Sequence, residues 1–402
     1  MKTCTPMQKT YQPMRLCLFS KDVPLLVFDL KSDGQVAIQK IFVENSHLLP
    51  FVLRAKPTED GVAHWLSHRF TASGRWLMQF ASKNFASMLQ ISHALSLIDA
   101  FWVHDGSRSW DRENLFENDF SDEIANLAIT RSCASDILFG RSPEYTSDGM
   151  LRKCWKRRNR KLLLLKADGG FPHEQGNQAS AEWLAWKVAE AFSLNAVPYS
   201  LKFFEHADGR QECVSVCEIF TSPDIGYVPA SECLPVMGLQ KSQLSEFALE
   251  TPETQFAIGG LMGRESYEDM MLFDSLVGNI DRHTGNFGML FDTNTGEILR
   301  IAPVFDNGLS FLSYLLKNGE TEDRLFSRWT HGCAMSFDAM AECFTRERHR
   351  MRLEQLLDFR FPETEFLCEE ALRRSERFLR KRVITALENC PQKSCSPGYA
   401  HP

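Results

Sequence analysis

No run of this chain approaches the ~18 consecutive apolar residues that a membrane-spanning helix needs. The N-terminus carries Lys2, Lys9 and Arg15, but only the short apolar pieces Leu16–Phe19 and Val23–Leu30 follow, broken by Asp and Lys, which is not the core of a secretory signal. A cytoplasmic protein with no membrane partner is therefore expected. Paired C-x-x-C modules are also missing: the 12 Cys are scattered from Cys4 to Cys395, and the close pairs Cys213/Cys217 and Cys390/Cys395 have no further His or Cys ligands beside them. That pattern fits reduced thiols better than a zinc site or a disulfide framework. An excess of positive charge is lacking too: Lys and Arg total 45 against 52 Asp and Glu, a net charge of −7. A chain built to neutralise nucleic-acid phosphates needs a dominant basic face, so no direct nucleic-acid ligand is expected. There is no internal repeat and no low-complexity tract.

What is present is ordinary globular material in quantity. The 402 residues are 44% apolar and 24% charged, and 30 Phe supply large rings for burial, so two or three packed units are expected. Residues 14–42 read as three short strands with turns at Ser20-Lys21-Asp22 and Lys31-Ser32-Asp33-Gly34. Helical spacing follows from His47 to about Gln90, then a second apolar run from Ile91 to His104. The polar stretch Asp105–Phe120 reads as an extended connector, and Ser121 with Asp122 and Glu123 opens a short helix. From Ser142 the order is strand, turn, strand, helix, strand: Lys161–Ala167 is a buried strand, Ser180 caps a helix through Phe192, and Leu201–Phe204 and Val214–Phe220 are further strands. Beyond Pro229 helical periodicity dominates through Leu387, interrupted by a hairpin at 287–305, and Pro362-Glu363 opens the terminal helix. The expected division is an N-terminal unit 1–105, a connector 106–140, a β-rich lobe 141–228, a helical lobe 229–390 and a tail 391–402.

The segment richest in chemistry runs from Asp274 to Gly308. A helix, Tyr267–Val277, feeds a loop with Asp281 and Asn286; a hairpin turns at Asp292–Gly296; Asp306 ends the return strand. Phosphoryl transfer asks for a carboxylate that orients and accepts the substrate proton and for oxygen ligands to Mg²⁺. Asp281 suits the first task, Asn286 and Asp306 the second, and the Asp-x4-Asn spacing equals that of the protein-kinase catalytic loop. The same residue types are also common in plain turns. Upstream, Lys166 ends an apolar strand and Glu182 follows near the start of the next helix, an arrangement that lets a lysine meet nucleotide phosphates while a glutamate holds it. The strand Ser215–Phe220, carrying Glu218, stands either as a hinge offering backbone groups to an adenine edge or as a mere edge strand.

These residues resemble the HipA-like protein kinases, a bacterial branch related in fold to eukaryotic protein kinases and phosphoinositide kinases. The resemblance rests on Gly278-Asn-Ile-Asp281-Arg-His283-x-x-Asn286-Phe, on Pro303-x-x-Asp306-Asn-Gly308, and on Leu165-Lys166 followed by Ala181-Glu182-Trp-Leu-Ala185. Leu95-Ser-Leu-x-Asp99-x-Phe-Trp102, Trp110–Phe120 and Ser142-Pro-Glu-x-Thr-x-Asp148-Gly149 extend it toward a Gram-positive bacterial subgroup. It implies an α+β, two-lobed kinase-like fold with a small additional N-terminal α/β unit, and ATP and Mg²⁺ as cofactors. It assigns Asp281 as catalytic, Asn286 and Asp306 as metal ligands, and Lys166, Glu182, Glu218, Phe220, Gly149 and His283 to the ATP side. It further implies a protein Ser/Thr substrate and, as in several toxin members, a small antitoxin or DNA-binding partner protein. One departure is that the loop before Lys166 has the single glycine Gly149. Thr146 and Ser147 stand there either as autophosphorylation sites or as an ordinary turn. The basic run from Arg152 to Lys161 either attracts an acidic partner or is a solvated hairpin tip, and Arg373–Arg382 reads as the exposed face of the last helix. Two other functions stay open: a lipid or small-molecule kinase of the phosphoinositide type, and a nucleotide-binding module without activity.

Overall fold

The computed structural model describes residues 13–31, 34–70, 85–131, 140–147, 152–168, 178–311, 332 and 335–391. The first sheet holds β1 (Met14–Ser20), β2 (Val23–Leu30), β3 (Val36–Ile41) and β4 (Phe101–His104), antiparallel in the order β3-β2-β1-β4. The three strands expected at 14–42 are present, and the end of the 91–104 run adds the fourth. Lys21 takes φ +51° in the tight β1–β2 turn. Leu16, Leu18, Leu26 and Phe28 share a core with α1 (Glu59–Arg69) and α2 (Phe85–Ser92) through Val62, Leu66, Met88 and Leu89. That core is continuous with the helical half of the chain, where Phe51 meets Phe291 edge-on at 5.2 Å.

The connector is not extended. Trp110, Leu115 and Phe116 are too large to leave in water, and they pack with Leu95, Leu97, Trp102 and Leu162 as a small core of their own. Ser121 caps α3 (Asp122–Thr130) as expected, its hydroxyl accepting the Ile124 amide at 3.2 Å.

The second sheet is antiparallel, with β5 (Lys153–Arg158), β6 (Lys161–Ala167), β7 (Tyr199–Glu205) and β8 (Gln211–Glu218) in the order β5-β6-β8-β7. Against it lies α4 (Gln178–Ala191). Ser180 sits inside this helix rather than at its cap, and the Ala179 amide is met at 2.7 Å by the carboxylate of Asp168 just past β6. The basic run divides between cations tied into the structure and a solvated hairpin tip. Arg157 donates to the carbonyls of Leu115, Phe116 and Asn118, Lys156 to Asp122 and Asn126, and Arg152 to Ile129 O, Asp168 O and Glu212. These cations fasten the connector and α3 to the sheet, which leaves Arg158, Arg160 and Lys161 exposed.

The rest is helical around a third, three-stranded sheet. Its helices are α5 (Ala230–Val236), α6 (Pro252–Met262), α7 (Arg264–Val277), α8 (Phe337–Phe344), α9 (Arg350–Leu356) and α10 (Glu369–Glu388). The expected hairpin is β10 (Gly288–Asp292) with β11 (Ile298–Ile301), and β9 (Ile225–Pro229) joins it in the order β11-β10-β9. Gly288 is required by packing, since a Cβ there would stand 2.1 Å from Val228 O. The last helix starts at Glu369, not at Pro362, and Arg382 on it is buried, donating to Ser275 O at 3.0 Å and to Asp338 at 2.5 Å. Among the described residues no helix is long and apolar enough to cross a membrane, and the cysteines are free thiols.

Candidate active site

Lys166 is near the end of β6, where the alternation of the strand turns its side chain inward to 6% exposure. A lysine so buried requires carboxylates, and it has two: Nζ lies 2.6 Å from Glu182 Oε1 on α4 and 2.6 Å from Asp306 Oδ1. The Tyr199 ring lies 5.7 Å from the ammonium. Burial alone would lower the Lys166 pKa, but Asp306 and Glu182 outweigh it and raise it well above the usual value. Asp306 shows the converse: burial pushes its carboxyl up, while Lys166 and then Lys153 hold it well below the carboxylate range. Burial dominates at Glu182 and raises its pKa against the pull of Lys166.

Asp306 does not end a strand. The return strand stops at Ile301, and after a parallel bridge between Ala196 and Val304 the chain turns so that Asp306 takes φ +59°. A non-glycine residue in that region carries strain that its surroundings must offset. Glu182 Oε2 accepts the Asn307 amide at 2.8 Å, fixing the next residue, and Tyr199 OH faces the Asp306 amide at 3.5 Å.

The loop with Asp281 begins where α7 ends at Gly278, whose φ of +64° permits the left-handed stop. Asn279 Oδ1 then accepts the Asp281 amide at 3.1 Å. Asp281 is partly buried; burial raises its pKa, His283 opposes this, and the nearby Asp306 charge adds to the rise. Asn286 is 3% exposed, and its Nδ2 donates to the Asp281 carbonyl. Its Oδ1, equally buried, has no hydrogen-bond partner.

Arg282 holds the loop to its surroundings, and the sequence reading gave it no role. It is fully buried: Nε and Nη2 donate to the two oxygens of Asp274 at 2.9 and 3.1 Å, Nη1 to Asn286 O at 3.1 Å and Phe305 O at 2.5 Å, and Nη2 to Asn307 Oδ1 at 2.6 Å. One guanidinium thus joins α7, the Asn286 segment and the Asp306 segment. The signal was available in Asp274, an acid within the apolar helix end Met270–Val277, which demanded a buried cation.

The other expected residues are placed more variously. Lys153, opposite Lys166 across β5 and β6, joins the site through its effect on Asp306. Glu218 is exposed and paired with Lys161 at 2.6 Å, away from the Lys166 cluster. Phe220 stands with Tyr227 and Phe305 in a group of rings 5.3–5.8 Å apart, and Tyr227 OH donates to Gly285 O at 3.2 Å. His283 is exposed, its Nδ1 accepting the Gly285 amide. Thr146 is buried and donates to Leu95 O at 2.7 Å; Ser147 donates to Pro143 O and accepts from Trp155 Nε1, both at 2.9 Å. Neither hydroxyl is freely presented in this geometry. Gly149 lies outside the described residues.

Asn286 Oδ1 and the Asp306 carboxylate are hard oxygen donors of the kind Mg²⁺ takes, since it binds through one or two carboxylates, water and substrate phosphates rather than a full protein cage. No cluster of three or more His, Cys, Asp or Glu suited to a metal occurs among the described residues. A partnerless buried amide oxygen such as Asn286 Oδ1 is what a cation would satisfy.

No family model matches the chain. A curated relative, the serine/threonine-protein kinase CtkA of Helicobacter pylori, is 52% identical over 40 residues, which is 10% of this chain and 12% of that protein's length. Its crystal structure, described as a proinflammatory kinase, aligns over 60% of this chain and 91% of its own at 17% identity and a TM-score of 0.41. Shewanella oneidensis HipA, solved with HipB and its operator DNA, aligns over 92% of this chain and 96% of its own at 12% identity and a TM-score of 0.54. The chain therefore has the α+β, two-lobed kinase-like fold that HipA also has.

Proposed function

We propose that this chain is a HipA-like kinase, acting in the cytoplasm, that transfers the γ-phosphate of ATP to a Ser or Thr hydroxyl of a protein. The observation that carries the reading is Lys166 bound at once to Glu182 and to Asp306, beside a loop whose Asn286 Oδ1 lacks a partner. Residues 141–228 and 229–390 are proposed as the two lobes. Lys166, kept protonated by its carboxylates, neutralises nucleotide phosphate, and Glu182 keeps it aimed. Asp281 orients the acceptor hydroxyl and takes its proton; burial raises its pKa, which makes it a better base than a solvated Asp. Asn286 and Asp306 would hold Mg²⁺, which when bound neutralises charge on the phosphates. Arg282 keeps these groups in register. The Ser/Thr acceptor is supported by the relative's name, and a small DNA-binding partner protein by the HipA neighbour's complex.

The test incubates wild type and Asp281→Asn with γ-labelled ATP, Mg²⁺ and a cell lysate. Loss of a general base typically costs about 10²–10⁴ in rate, and a drop of that order is expected in labelled protein. Undiminished label with the variant would remove Asp281 from its role. Label confined to lipid would favour a phosphoinositide-type kinase, and nucleotide binding without any label a binding module.

A further inference from the structure

We infer that the segment Leu95–Asp99 is a strap that fixes the joint between the two lobes, and that Arg69 and Asp99 are positioning residues for nucleotide binding. This rests on the kinase reading above. Three of the strap's carbonyls each hold a different element around the cleft. Leu95 O accepts from the Thr146 hydroxyl at 2.7 Å, Leu97 O from the Thr221 hydroxyl at 2.5 Å, and Ile98 O from the Tyr227 amide at 2.7 Å. Thr146 precedes β5; Thr221 and Tyr227 flank the crossing from the second sheet to the third. The hydroxyls of Thr146 and Thr221 are buried, so these bonds are shielded from competing water. The strap's side chains continue the same link: Leu95 and Leu97 pack with Leu162 of β6 and with Ile219, whose amide donates to Leu162 O at 3.0 Å.

The strap is itself held from behind. Arg69, the last residue of α1, donates to both oxygens of Asp99 at 2.5 Å, to Ala94 O at 2.9 Å and to Phe101 O at 2.9 Å. Asp99 also accepts the Phe101 amide at 2.9 Å, and both members of the pair are almost fully buried. Such a bidentate pair is geometrically specific, and the residues it brackets cannot slide without breaking it. On the far side, α5 follows β9 directly and its first amides bond the loop of Asp281 and Asn286: Ala230 N to Phe287 O at 2.9 Å and Ser231 N to Thr284 O at 3.0 Å. The path from the N-terminal unit through the strap to Tyr227, β9, α5 and the catalytic loop is therefore continuous in hydrogen bonds and chain connectivity. If the lobes are free to open, only a fraction of molecules is competent for nucleotide, and the apparent dissociation constant rises by the inverse of that fraction. The strap's contribution is to keep that fraction high, without touching ATP.

The experiment uses the full chain with Thr221→Val, which removes one hydroxyl donor while keeping the shape, Thr221→Ser, which restores it, and Asp99→Asn, which breaks the buried pair. Amide hydrogen exchange across 219–228 is followed without nucleotide, and KM for ATP and kcat are measured on each folded variant. Thr221→Val is expected to exchange at Tyr227 about ten-fold faster and to raise KM for ATP several-fold with kcat changed less than about two-fold, and Thr221→Ser to match wild type. Asp99→Asn, where it folds, goes further in the same direction. Unchanged exchange in a folded Thr221→Val overturns the strap whether or not the protein transfers phosphate. Faster exchange with unchanged KM overturns its role in nucleotide binding. A wild type that transfers no phosphate defeats the kinase reading alone, since exchange still reports on the joint.

Discussion

Replacing Arg282 with Met removes a side chain with no solvent exposure that satisfies both oxygens of an equally buried Asp274. After the substitution Asp274 keeps the Asn279 side-chain amide, 3.3 Å from Oδ1, but loses its buried cation. Stranding one member of a buried ion pair costs about 3–5 kcal/mol. At roughly 2–4 °C per kcal/mol for a unit of 150–250 residues, the melting midpoint should fall by about 6–20 °C. The double variant Asp274→Leu/Arg282→Met removes the stranded charge and should regain most of that loss, because apolar replacements of buried pairs are often near neutral. It should not regain all of it, since the carbonyls of Asn286 and Phe305 remain without their donor. Phosphoryl transfer should stay low in both, because the Asn286 and Asp306 segments lose their shared tether. Calorimetry and labelled-ATP transfer on the four proteins of the cycle decide the matter. A single variant melting within about 2 °C of wild type, or a double variant transferring at the wild-type rate, would refute the reasoning.

Two further outcomes are expected. Glu144 is buried, accepts from the Ser142 hydroxyl and the Trp155 amide, and is pushed up by burial to about 7 from 4.5. Its folded pKa is above the unfolded one, so its favourable contribution is complete below about pH 4.5 and is lost as the pH rises through about 7, a change of roughly 3 kcal/mol. Glu144→Gln should flatten this part of the stability profile in urea titrations from pH 5 to 8, and parallel curves for variant and wild type would count against it. Gly288→Ala drives a methyl into backbone, 2.1 Å from Val228 O and 2.8 Å from Pro229 Cα, and should cost about 1–3 kcal/mol or more in thermal unfolding because backbone atoms cannot swing aside.

Much of this architecture is legible in the sequence because it is local. The alternation of Met14–Ile41, the Ser121 cap and the turn at Asp292–Gly296 are decided by near neighbours, and each is found where periodicity and turn chemistry put it. The pairing of Lys166 with Glu182 was legible for another reason, a strand lysine followed by a helix glutamate in the order phosphate chemistry uses, whereas the second ion pair, to Asp306, was not. What was not legible depends on partners remote in the chain. Arg157 looked like part of a basic patch because its acceptors are main-chain carbonyls some 40 residues away, which no side-chain pattern announces. The third strand β9 has Pro229 at its end and pairs with β10, far downstream, so nothing local marked it as sheet. The left-handed Asp306 is imposed by its surroundings rather than by its own preference.

The double ion pair of Lys166 also sets an order of events during synthesis. Glu182 follows Lys166 by 16 residues, but Asp306 follows by 140. At about 5–20 residues per second on the ribosome, the lysine and its glutamate exist together for roughly 6–25 s before Asp306, 124 residues after Glu182, has been made. Asp281 and Asn286 emerge near the end of that interval. A nascent chain that has folded its second sheet thus carries the lysine and glutamate without the aspartates, and the site is completed only when the segment after the hairpin arrives, bridging Val304 to Ala196 and Asp306 to Lys166.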